Sequence, residues 1–167
     1  MVLEPKRIKI TPLYNNEEDA SFSESLRKYL VGLERDGLIE YMHELPAGAY
    51  FQQEIELHLQ ESQVIILLAS SSFDADKRYS GPEMVALIKK CYEKGTRIWP
   101  IIVRYFLWER SPFKGYEIFF GEDKPIISSW TSSDEPYKRI LKKINDEVTH
   151  ILSEEWVYEG DMHYNQM

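Results

Sequence analysis

The sequence predicts an α/β fold: a flavodoxin-like three-layer sandwich whose five-stranded, mainly parallel sheet has the order 2-1-3-4-5, with helices on both faces. Three observations carry that expectation. Short β-rich apolar runs alternate with stretches of helical period along most of the chain. One of those runs, QVIILLA (63–69), is apolar without interruption, as a strand buried on both faces would be. The 167 residues, 43% hydrophobic and 13% aromatic, suffice for one domain with a real core.

The elements follow in order. RIKITPL (7–13) is β-rich and gives the first strand. After NNEED, the spacing of Phe22, Leu26, Tyr29, Leu30 and Leu33 gives an amphipathic helix that ends at Gly37. LIEYM (38–42) is the second strand, HELPAGA a loop, and YFQQEIELHLQ a helix with Phe51, Ile55 and Leu59 on one face. QVIILLA follows as the third strand, then a loop through SSFDADKRYS and a helix over about 82–94. RIWPIIV (97–103) reads as the fourth strand despite Pro100. An aromatic-rich irregular stretch, RYFLWERSPFKGYEIFFGEDK, leads to PIISS (125–129), the expected fifth strand. DEPYKRILKKINDEVTHIL (134–152) closes the domain as a helix with Ile140, Ile144, Val148 and Ile151 inward. SEEWVYEGDMHYNQM loses this period, so residues 7–152 form the expected domain and 153–167 a tail or a linker to a partner domain.

Composition narrows the function classes. With 20 basic against 28 acidic residues the net charge is −8, and Lys and Arg cluster nowhere densely enough to track a phosphate backbone; direct nucleic-acid binding is not expected. A single cysteine, Cys91, excludes a disulfide framework or a cysteine-rich metal site within one chain. MVLEPKRIKI lacks a signal-type apolar run, and no segment approaches the roughly 20 apolar residues of a membrane span. The expectation is a cytoplasmic chain with no membrane attachment of its own.

Several chemistries known on such sheets lack their residues. Neither GxGxxG nor GxxxxGK[ST] occurs, so there is no glycine-rich phosphate cradle. A phosphoacceptor would need an aspartate at the end of the third strand, which instead runs into Ala69-Ser70-Ser71. His43, His58, His150 and His163 show no paired metal-ligand spacing, although His43 beside Glu44 stands on a loop. No GxSxG elbow is present.

What stands out is Glu83, directly after Ser80-Gly81-Pro82 at the start of a helix. On local grounds it is a helix-start residue, since an acid in the first turn suits the dipole and proline suits the first helical position. Its place in the fold adds to this. Ligands on such sheets bind beyond the carboxyl ends of the strands at the switch point. Here that means the loops 14–18 and 70–82, so Glu83 is expected to face that crevice.

GLERDGLIEY (32–41), HELPAGAYFQQEIELHLQESQVIILLASSSF (43–73), PEMVALI, RIWPIIVRYFLWERSPF (97–113) and PIISSW (125–130) together resemble the bacterial branch of Toll/interleukin receptor (TIR) domains. The resemblance covers roughly 7–152, in the family's order and spacing. It implies one of two functions. Some TIR domains are interaction modules without enzymatic activity; others, including bacterial effectors of antiviral defence, cleave NAD+ between nicotinamide and ribose.

In the enzymatic branch the catalytic residue is a glutamate at the start of the third helix, which falls on Glu83. Tyr79, four positions earlier, matches an aromatic that lines the pocket. A carboxylate against the ribose can stabilise the oxocarbenium-like charge as the N-glycosidic bond breaks, and nicotinamide leaves already activated by its own charge. The products would be nicotinamide and ADP-ribose or a cyclised form, with NAD+ as substrate and no cofactor or metal.

The chain departs from the family where its first strand ends in Pro12-Leu13-Tyr14-Asn15-Asn16 and where Arg78-Tyr79 precedes the acidic helix. Tyr14, Asn15, Asn16 and Arg78 are the expected substrate-binding neighbours. The alternatives are a turn for the asparagines and a solvated or ion-paired loop residue for Arg78, near Asp74 and Asp76. Leu45, Pro46, Ala47 and Gly48 correspond to the loop through which TIR domains assemble, which implies self-association, activity that rises with it, and a fused or separate sensor domain.

Overall fold

The computed structural model describes residues 7–164 except 43 and 47, with 155–164 described as backbone only. Four parallel strands form one sheet in the order β2-β1-β3-β4: β1 (Ile8–Leu13), β2 (Ile39–Tyr41), β3 (Val64–Ala69) and β4 (Arg97–Ile102). Register runs from Ile10 opposite Val64 to Leu13 opposite Leu67, and from Val64 opposite Arg97 to Ala69 opposite Ile102. The fold is therefore α/β with helices on both faces, as the alternating pattern predicts, but with four strands rather than five.

β3 shows why its run had to be apolar. All six residues are buried, and successive side chains go to opposite faces. Val64, Ile66 and Leu68 join the core under α1 (Ala20–Tyr29), α2 (Val31–Arg35) and α7 (Asp134–Tyr164). Ile65 and Leu67 join the core under α3 (Phe51–Glu61) and α6 (Pro82–Glu93). The helix expected between Phe22 and Gly37 is broken at Leu30, yet Phe22, Leu26, Leu30 and Leu33 all reach the first core.

The expected fifth strand fails for a local reason. Ile126 and Ile127 donate to Ile102 O and Val103 O (3.2 and 2.9 Å), but Pro125 brings no N–H and Trp130 Nε1 bonds back to Pro125 O (2.7 Å). The segment curls away after two bonds. The rest of that edge is taken by Phe119 and Phe120, whose amides donate to Pro100 O. At the other end, α7 carries Ile140, Ile144, Val148 and Ile151 inward as expected but continues to Tyr164 rather than stopping near 152. Among the described residues no helix is long and apolar enough to cross a membrane.

Two short helices occupy the stretch read as a loop before α6. Ser70 starts α4 (Ser71–Ala75) by accepting from Phe73 N at 3.1 Å, and Asp76 starts α5 (Lys77–Ser80) by accepting from Arg78 N at 3.1 Å. These caps fix everything that follows.

Candidate active site

Gly81 joins α5 to α6 where the backbone is tightest: a Cβ there would stand 2.5 Å from the Lys77 carbonyl oxygen. That close turn puts Pro82 at the first position of α6 and Glu83 directly after it. Glu83 is exposed, and its side chain has no hydrogen-bond or ion-pair partner among the described residues. It lines a cleft of about 540 Å³ together with Gln52, Lys77, Arg78 and Ser80. The acid thus shares its cleft with two cations.

The other expected binding residues divide. Arg78 reaches the cleft and is also held: its Nε and Nη2 donate to Asp76 Oδ1 and Oδ2 (3.0 and 2.7 Å), and its guanidinium lies over Phe51 and Tyr79. Asn15 reaches across from β1 to donate to Asp76 Oδ2 at 3.2 Å, while its own Oδ1 accepts from Glu18 N at 2.9 Å. Asn16 is exposed and lines no part of this cleft.

Tyr79 turns inward. It is 0% exposed, stacked on Phe73 with centroids 4.9 Å apart and edge-on to Phe51 at 5.8 Å, with no hydrogen-bond partner for its hydroxyl. Burial pushes that hydroxyl well above its ordinary value. Tyr14 is buried as well, and burial raises its hydroxyl above the ordinary value. Of the assembly loop, Leu45 packs against both cores and Pro46 is half-buried; Gly48 is exposed, and Ala47, like His43, lies outside the described residues.

The crevice between the ends of β1 and β3 is occupied by groups the sequence did not point to. Asp19, fully buried, accepts from Ser70 Oγ at 2.5 Å and faces Arg104 Nε at 3.6 Å. Arg104 also lies over the Phe22 ring and donates to Glu18 O at 3.4 Å. Burial raises the Asp19 carboxyl, with Ser70 and Arg104 opposing. The pairing spans 85 positions, 19 to 104, so only its N-cap-like place before α1 was visible in the sequence.

Asp76 shows the opposite balance. Burial works to raise it, but the side-chain and backbone hydrogen bonds from Arg78, the charge of Arg78 and the bond from Asn15 outweigh that and hold the carboxyl below its ordinary value. A depressed folded-state value means stability that is present above the unfolded value and lost as pH falls through the folded one. Asp76→Asn is therefore expected to cost about 1 kcal/mol at pH 7, since Arg78 is partly exposed. The cost should shrink as pH falls below the ordinary carboxylate range. Urea melts at neutral and acid pH measure this; an equal cost at both would show that the charge is not what matters. Asp19, with its value raised, has the reverse sign: its share is full below the unfolded value and lost as pH rises through the folded one.

No family model matches the chain. A protein of Sinorhizobium fredii (strain NBRC 101917 / NGR234), the uncharacterized protein y4lF, is 28% identical over 130 residues, 77% of this chain. The chain spans about 40% of the length of that curated relative. Among solved structures, the RPS4 and RRS1 TIR domain heterodimer aligns with a TM-score of 0.53 at 12% identity, covering 84% of this chain and 97% of the matched one. The fold is thus TIR-like: a parallel sheet in the order 2-1-3-4 between two layers of helices.

Proposed function

We propose that this chain is an NAD+ glycohydrolase of bacterial TIR type, with Glu83 as the catalytic residue. One observation carries the reading: an exposed, unpartnered carboxylate in the first turn of α6, on a cleft it shares with Arg78 and Lys77. In this proposal the two cations face the diphosphate and the carboxylate faces the ribose. The C–N bond breaks with its electron pair passing to the pyridinium nitrogen, which neutralises nicotinamide, and Glu83 stabilises the ribosyl cation left behind. Water adds to that cation and loses a proton to solvent, giving ADP-ribose; attack by the adenine would give a cyclised product instead.

The test is nicotinamide release from NAD+ by the parent and Glu83→Gln at high protein concentration. Self-association through the 45–48 loop belongs to the same proposal, and with it a role in antiviral defence in the cytoplasm, under a fused or separate sensor domain. Turnover per molecule is expected to rise with concentration; turnover independent of concentration would count against activation by assembly.

A TIR interaction module is the second reading. The filled crevice between β1 and β3 and the inward turn of Tyr79 favour it, as does the neighbour's being a heterodimer. Absence of release in both proteins at high concentration would select it.

A further inference from the structure

At the N-terminal edge of the sheet, away from Glu83, the turn into β3 and the turn into β4 lie side by side and form the floor of a recess of about 390 Å³. The two turns are tied together: Arg97 N donates to Gln63 O at 3.0 Å and Thr96 Oγ1 to Ser62 O at 3.3 Å. Three cations line the recess, Lys90, Lys94 and Arg97, together with the polar side chains of Ser62, Gln63 and Thr96, and no acidic residue lines it. In a chain of net charge −8, such a concentration of positive charge is a local exception.

The lysines are not used up by the fold. Lys90, in the last turn of α6, and Lys94, the residue that caps its end, lie one turn apart, and both are exposed without an ion pair among the described residues. The carbonyls at the end of α6 are satisfied by backbone amides: Lys94 N bonds to Lys90 O and Cys91 O, Gly95 N to Tyr92 O, and Thr96 N to Cys91 O. Gly95, at φ +105°, makes the turn that brings Arg97 round to the same recess. A helix dipole accounts for lysines near the end of α6, but not for the recess or for the arginine entering it from β4. Arg97 is met by Glu154 at 3.2 Å, which His150 also meets at 3.0 Å. A multiply charged anion could take Arg97 from it, because Glu154 is exposed and Arg97 half-buried, so that pair is correspondingly weak.

We propose that this recess binds a small soluble molecule carrying two or more phosphates, with Lys90, Lys94 and Arg97 on the phosphate oxygens. The proposal does not rest on the reading of Glu83. Pyrophosphate is the probe, titrated into the full chain by calorimetry at matched ionic strength. Binding is expected in the parent, weakening as salt is raised, with the dissociation constant about tenfold or more higher in Lys90→Gln/Lys94→Gln. Both lysines are exposed, so the double variant should melt with the parent.

Amide chemical shifts locate the ligand without any substitution: changes at Gly95 and Thr96 are expected. No binding by the parent, equal binding by the double variant, or shifts confined to Arg78 and Glu83 would overturn the proposal. So would shifts at Gly95 and Thr96 seen with vesicles of phosphorylated inositol lipids but not with pyrophosphate, which would assign the recess to a headgroup.

Discussion

Glu83→Gln is expected to lower nicotinamide release from NAD+ by about 100-fold or more while leaving the fold intact, if the proposed chemistry is right. Glutamine keeps the size of the side chain and one carbonyl oxygen but removes the negative charge. That charge matters only once the ribose becomes cationic, so the loss should fall on the chemical step rather than on NAD+ binding. Removing one preorganised electrostatic partner of a transition state typically costs about 10² to 10³ in rate. The structural cost should be small. Glu83 is exposed and makes no bond that the fold depends on, so the change forfeits about 0.5 kcal/mol of favourable interaction with the start of α6. Release measured by chromatography, together with thermal melts, separates the two effects. Equal, measurable release from both proteins would return Glu83 to a helix-start residue and place the chemistry elsewhere on the chain; no release from either would move the weight to the interaction module.

The second large effect concerns Tyr79, where substitution to alanine and to phenylalanine should part company. Tyr79→Ala removes a ring that is 0% exposed and packed between Phe73 and Phe51, which should cost about 3–5 kcal/mol. Against a total stability of about 5–15 kcal/mol that is a severe loss. Tyr79→Phe keeps the ring and deletes a buried hydroxyl that has no partner. It should be neutral or stabilising by up to about 1 kcal/mol. Urea denaturation of the pair measures both. If Tyr79→Phe melted like the parent but lost nicotinamide release, the hydroxyl would be meeting substrate in a conformation other than the one described here.

The sheet and its long helices were legible in the sequence because their signals are local and repeated. β3 announces itself by six apolar residues in a row, and α7 by Ile140, Ile144, Val148 and Ile151 at helical spacing. The fifth strand was misread because PIISS has strand composition, while what decides its path is a proline without an N–H and a tryptophan bonding back to it. Helices α4 and α5 are four or five residues long, too short to show a period, although Ser70 and Asp76 are their capping residues in plain sight.

The site was legible only in part. Glu83 could be placed at the start of its helix, because a helix start fixes where its first turn lies, but the cleft it lines includes none of residues 14–18, so it does not face the crevice between β1 and β3 as expected. The direction of Tyr79 could not, since a residue at the end of a one-turn helix has no pattern to say which way it faces. Asp19 and Arg104 meet only through the fold, and no spacing along the chain foretells such a pair.

Pro100 has a consequence for how copies of this protein can meet. On the outer side of β4 it offers a carbonyl and no N–H, and that carbonyl is already taken by the amides of Phe119 and Phe120, while Ile126 and Ile127 cover the strand's end. The opposite margin, β2, is three residues long. An incoming chain would therefore find the C-terminal half of β4 already paired and only a short strand at β2, the kind of edge that guards natural sheets against joining edge to edge. Molecules crowded together in the proposed assembly would then touch through helices and loops rather than by joining their sheets.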